Sequence, residues 1–113
     1  MFFSMIRELY RMTKWKTRKE FRDKVKFWAK KIDVKVKSIY LRPMRNKWAS
    51  CSNRGNINFN KELLKMDKRI GNYVIVHEIL HLIVPNHGKL WKSLMRSYFG
   101  KYEEIHKRLY LKS

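Results

Sequence analysis

Apolar residues recur along this chain first at helical and then at strand spacing. Phe3, Ile6, Leu9 and Tyr10 fall on one side of a short helix predicted over residues 3–13. A second helix is predicted to begin at Thr17. Thr17-Arg18-Lys19-Glu20 has the spacing of a capping box, and Phe21, Val25, Trp28 and Ala29 follow at helical intervals, with lysine and arginine over most of the opposite face. Over residues 34–42 the period drops to two, with Val34, Val36 and Tyr40 on one face, which predicts a strand. Residues 47–60 predict a hairpin whose strands span 47–52 and 56–60. It turns at Asn53-Arg54-Gly55-Asn56, where asparagine and glycine tolerate positive φ. Asn58 and Asn60 share a face of the second strand, and polar residues at alternate positions predict a partly exposed sheet edge.

A short helical segment is expected from Lys61. A further helix is expected over residues 73–84, with Asn72 as its cap and Pro85 as its stop, because the residue before proline is pushed out of helical geometry. Two more helices, over 89–99 and 102–111, are broken at Gly100. Several helices around a few short strands define the α+β class. With no repeat and no linker, the 113 residues read as one domain.

The helix over 73–84 stands apart. Nine of the twelve residues of Tyr73-Val74-Ile75-Val76-His77-Glu78-Ile79-Leu80-His81-Leu82-Ile83-Val84 are apolar and encircle it, so it has to run through the core. Ionisable groups there are costly unless partnered. The three polar residues are His77, Glu78 and His81. Histidines four apart lie one turn above each other and can aim two imidazole nitrogens at one point, while the glutamate between them can reach a water on an ion held there. This HExxH spacing is that of zinc hydrolases. A catalytic zinc also needs a third protein ligand and an open fourth position. His87, just past Pro85-Asn86, is the candidate third ligand, with Glu103 and Glu104 as rivals; His106, among charged residues, reads as a surface residue. The alternative is that His77 and His81 are buried histidines hydrogen-bonded to Glu78 alone.

Composition changes this picture in two ways. The formal net charge is +19, from 28 Lys plus Arg against 9 Asp plus Glu, which makes nucleic acid a candidate partner through the basic helix near Trp15, Phe27 and Trp28. The one cysteine, Cys51, excludes an intrachain disulfide framework and a CxxC metal knuckle; it reads as a small packed residue of a reducing compartment. Arg7, Glu8 and Arg11 interrupt the apolar start, and no segment reaches membrane-spanning length, so the expectation is a cytoplasmic chain with no membrane partner.

His77-Glu78-Ile79-Leu80-His81 followed by Asn86-His87-Gly88-Lys89-Leu90-Trp91 resembles the HExxH and NHxxxFW pattern of the YgjP-like (WLM/SprT-related) single-domain metallopeptidases. Lys47-Trp48-Ala49-Ser50-Cys51-Ser52 resembles their RWGSCS stretch, and Gly55-Asn56-Ile57-Asn58-Phe59-Asn60 their GxIxLN strand, so the likeness covers about residues 45–95. Lys47 stands where arginine is usual, Ala49 where glycine is usual, and Leu90 where an aromatic is usual. In size the chain is also similar to selecase and the minigluzincins. The resemblance implies an α+β zincin-like fold, helices on a small twisted sheet over a buried active-site helix, with zinc held by His77, His81 and His87.

The function expected is zinc-assisted hydrolysis of peptide bonds in peptides or unfolded proteins, with Glu78 as general base and then acid. The strand Asn56, Ile57, Asn58 and Phe59 is expected to bind substrate as an added strand. Trp91 and Leu94 are expected to pack behind His87, and Tyr98, Tyr102 and Lys47 are candidate stabilisers of the oxyanion. An exposed edge beside an open cleft also predicts self-association into homo-oligomers. The competing classes are a nucleic-acid-binding module and a zinc hydrolase acting on nucleotides.

Overall fold

A computed structural model describes residues 14–110, so the helix expected over 3–13 lies outside the described residues. Those residues form α1 (Arg18–Ile32), β1 (Ser38–Arg42), β2 (Ala49–Cys51), β3 (Asn56–Asn60), a 3-10 turn (Lys61–Lys65), α2 (Lys68–His81), α3 (Lys89–Tyr98) and α4 (Glu103–Tyr110). They share one hydrophobic core, in which α2 is the central helix.

The start of α1 follows its sequence signal with one shift. Thr17 Oγ1 accepts the Glu20 amide at 3.0 Å, but the Glu20 carboxylate reaches back to the amide of Lys16, at 2.7 Å. The helix buries Phe21, Val25, Trp28, Ala29 and Ile32 and ends on Asp33 at φ 66. That ending shortens the strand expected over 34–42. The Val34 amide still bonds Ala29 O at 2.8 Å, so the chain is leaving the helix there, and the sheet ladder begins only at Ser38 opposite Asn56.

The sheet order is β1-β3-β2, with β1 parallel and β2 antiparallel to β3. The expected hairpin is present, and Gly55 turns it at φ +89. The position of its second strand is corrected: β3 is the central strand. Ile57 and Phe59 are fully buried on one face, and on the other Asn56 and Asn60 find hydrogen-bond partners within the protein. Asn60 donates to Met44 O and Lys47 O and accepts the Glu62 amide, while Asn56 accepts from Ser38 Oγ. A strand hydrogen-bonded along both sides cannot take up another, so Asn56, Ile57, Asn58 and Phe59 are not the docking strand. Among the described residues the sheet edges are β1 and β2, each paired only with β3, and of the two it is β2 that lines a cleft together with Glu78 and His81.

Helix α2 starts five residues earlier than its periodicity suggests. Asp67 caps it by accepting the Arg69 amide at 2.7 Å. Asn72, expected as the cap, instead lies within the helix and accepts from Trp28 Nε1 at 2.7 Å, joining α1 to α2. Residues 73–80 are all buried, and the helix ends at His81 ahead of Pro85.

Gly71 is where α2 meets Trp15. A Cβ there would lie 2.6 Å from Trp15 Nε1 and 2.8 Å from its Cζ2. Gly71→Ala is therefore expected to lower stability by about 1–3 kcal/mol through overpacking, despite alanine's better helix propensity. Chemical denaturation checks this, and an unchanged or raised midpoint would contradict the packing described.

Candidate metal centre

The last turn of α2 carries His77, Glu78 and His81. After it the chain turns back, with the Val84 amide on Leu80 O at 2.8 Å and Asn86 Oδ1 accepting the Gly88 amide at 2.9 Å. This return places His87 beside the first two histidines. One ligand atom from each of His77, His81 and His87 lies within 4.8 Å of the others, and His81 Nε2 and His87 Nε2 are 2.7 Å apart. Nitrogens bound about 2.0–2.1 Å from one tetrahedral ion stand roughly 3.3 Å from each other, so the cluster is at metal-site scale. Trp91 is the wall behind it, its ring centroid 4.5 Å from that of His87 and 5.0 Å from that of His77. The rivals are placed elsewhere: Glu103 pairs with Arg96, and Glu104 is exposed.

The electrostatics suit a cation. Burial, reinforced by His81, His87 and His106, pushes the His77 imidazole down to about 2, which keeps it in the neutral, ligating form. His81 and His87 are also lowered, mainly by burial. Glu78 is 7 % exposed; burial raises its carboxyl to about 7 against the opposing pull of Lys47. Its Oε2 has no hydrogen-bond partner among the described residues. Three neutral imidazoles beside a buried carboxylate oxygen without a protein partner fit a divalent ion carrying a water.

A cleft of about 1430 Å³ opens here, lined on one side by β2 and on the other by the end of α4, with Glu78 and His81 between them. Trp48 Nε1 donates to Leu109 O at 3.2 Å across it. Of the three oxyanion candidates, Lys47 lines the cleft, Tyr102 is buried in the core stacked on Tyr73, and Tyr98 is partly buried against that core. Cys51 also lines the cleft, and burial together with Glu78 pushes its thiol up to about 11, so it stays protonated.

Three residues at the centre escaped the sequence reading. Tyr73 was counted among the apolar positions of α2, yet its hydroxyl lies 3.2 Å from His77 Nδ1. His106, expected at the surface, is half-buried with Nδ1 2.6 Å from the same hydroxyl. Tyr110 stacks on His77, centroids 4.6 Å apart, with its hydroxyl buried and unpartnered among the described residues. The available signal was spacing: Tyr73 precedes His77 by one helical turn, and His106 precedes Tyr110 likewise.

These shifts set the pH response of the metal-free chain. Histidines held below their unfolded value of 6.5 contribute stability above that pH and lose it on acidification; His77, His81, His87 and His106 all act in this sense. Glu78, raised from 4.5 to about 7, acts oppositely, adding stability as pH falls from 7 to 4.5 and nothing further below. Four groups against one predict a net fall below pH 6.5. Urea midpoints across this range check it, and a midpoint that rises steadily on acidification would contradict it.

A buried helix that brings two imidazoles together with a third from the turn after it, and that turns a buried carboxyl into a cleft beside a sheet edge, has the arrangement of a metal-dependent hydrolase. The chain belongs to the YgjP-like family, whose metallopeptidase domain matches residues 4–112. Its structure is similar to that of the metallopeptidase zymogen jannalysin of Methanocaldococcus jannaschii, with 27% sequence identity, a TM-score of 0.70, and coverage of 78% of this chain and 91% of that one. It is also similar in fold to the metallopeptidase zymogen abylysin of Pyrococcus abyssi, at 19% identity and a TM-score of 0.68, covering 78% and 90% of the two chains. No curated protein sequence matches the chain significantly. No helix among the described residues is long and apolar enough to cross a membrane.

Proposed function

We propose that this metallopeptidase is a zinc-dependent endopeptidase acting on extended or unfolded polypeptide. The observation that carries the reading is the meeting of His77, His81 and His87 beside the unpartnered, buried oxygen of Glu78. His77, His81 and His87 would hold a zinc ion, which would supply the Lewis acidity that acidifies water and polarises a scissile carbonyl.

The protein's own groups do the rest. Glu78 takes the proton of the attacking water and passes it to the departing amine nitrogen, the double duty suited to a carboxyl lifted to about 7. The unpaired side of β2 offers backbone donors and acceptors to a substrate strand laid in the cleft, a mode that selects extended chain over particular side chains. The Lys47 ammonium and the Tyr110 hydroxyl are the donors beside this path for charge growing on the carbonyl oxygen.

Incubation with an unstructured protein tests the proposal. Internal cleavage should appear with zinc, stop with chelator and return when zinc is restored. Cleavage that persists in chelator, or a zinc-loaded chain that leaves such substrates intact, would overturn it.

A further inference from the structure

One buried hydroxyl joins two histidines here, and the site chemistry described so far leaves it without a task. Tyr73 Oη lies 3.2 Å from His77 Nδ1 and 2.6 Å from His106 Nδ1. The tyrosine is fully buried, and its ring is wedged between Phe99, centroids 5.5 Å apart, and Tyr102, stacked at 6.1 Å, so the hydroxyl is fixed in place.

A phenol has one hydrogen, so only one of the two ring nitrogens can accept from it, and with that buried hydrogen used in one contact the other ring nitrogen is the donor. The choice is settled by what His77 has to do. Its Nδ1 faces Tyr73, which leaves Nε2 as the atom able to join His81 and His87 around an ion. Nε2 can serve only if it carries no proton, so the proton of the neutral imidazole sits on Nδ1 and is donated to Tyr73. The tyrosine proton is then donated onward to His106 Nδ1, and His106 is held with its own proton on Nε2. The reverse polarity would put a hydrogen on His77 Nε2, aimed at the metal position.

We propose that Tyr73 and His106 form an orienting relay, running from His77 Nδ1–H to Tyr73 Oη–H to His106 Nδ1, which fixes the tautomer and direction of one metal-binding imidazole. Both are positioning residues that act through His77. The inference rests on the zinc reading above and adds to it the outer partners that make a ligating histidine more basic and less free to rotate.

The test is zinc affinity, measured against a chromophoric chelator, together with the histidine tautomers of the zinc-loaded parent chain read from long-range proton–nitrogen NMR. Tyr73→Phe keeps the ring and deletes the relay, and is expected to weaken zinc binding by about 10–100-fold. His106→Ala is expected to weaken it in the same direction. His106→Asn, which returns an acceptor oxygen at the place of Nδ1, is expected to restore most of the loss. In the parent, His77 should carry its proton on Nδ1 and His106 on Nε2. A Tyr73→Phe chain with parental affinity, or a parent in which His106 carries its proton on Nδ1, overturns the relay. The tautomer measurement decides even if a variant folds poorly. A parent that binds no zinc would instead remove the metal reading itself, so the two failures are distinguishable.

Discussion

Glu78→Gln is expected to lower peptide cleavage by about 10²–10⁴-fold while zinc binding is retained, the range general acid and base catalysis contributes. The amide has nearly the shape of the carboxylate, so the packing of α2 against its neighbours is preserved. What disappears is the ability to take a proton from water. Loss of activity should appear in kcat, with KM little changed, because the role proposed for Glu78 is on the reacting atoms and not on the rest of the substrate. Relief of a buried carboxyl that burial raises to about 7 should also leave the metal-free variant no less stable than the parent above pH 7. A fully zinc-loaded Glu78→Gln chain that cleaved at the parental rate would remove Glu78 from the chemistry.

His81→Ala is expected to have the larger effect on metal. Removing one protein ligand of three is expected to cost about 10²–10³-fold in zinc affinity or more. His81 is only half-buried at the end of α2, so its loss should spare the metal-free fold. The zinc-induced rise in unfolding temperature, large in the parent, should shrink sharply in the variant. Equal thermal shifts for both chains would mean that His81 does not ligate. The same measurement on Glu104→Ala, an exposed residue outside the cluster, should match the parent.

How much of this was legible in the chain depended on whether a residue's environment is set locally. The turn at Gly55, the cap at Thr17 and the pairing of His77 with His81 depend on neighbours a few positions away, and the sequence pattern identifies them. The position of β3 does not. Asparagine in a strand reads as solvent-facing, but Asn60 is buried because the carbonyls of Met44 and Lys47 and the amide of Glu62 satisfy it, and that loop arrangement is a tertiary fact. Asn72 misled for a related reason. A good capping residue was placed mid-helix to receive the indole of Trp28, across 44 positions of sequence, and the cap fell to Asp67.

The site divides in the same way. The closeness of His77 and His81 is set locally, by one turn of helix; the outer parts come from α4, and no spacing rule ties His106 or Tyr110 to a histidine some thirty residues earlier. Charged neighbours made His106 look superficial, yet one face of a short helix is enough to bury an imidazole against Tyr73. The central position of β3 also changes the proposed substrate path, because β2 is an edge strand and all three of its residues line the cleft.

The most direct test of the account is the zinc content of the purified chain, combined with X-ray absorption at the zinc edge. One zinc per chain is expected, with three imidazole nitrogens and one oxygen at about 2.0–2.1 Å and no sulfur near 2.3 Å. A chain that holds no zinc when zinc is plentiful, or one whose zinc is bound by Cys51 or carboxylates in place of His77, His81 and His87, would contradict it.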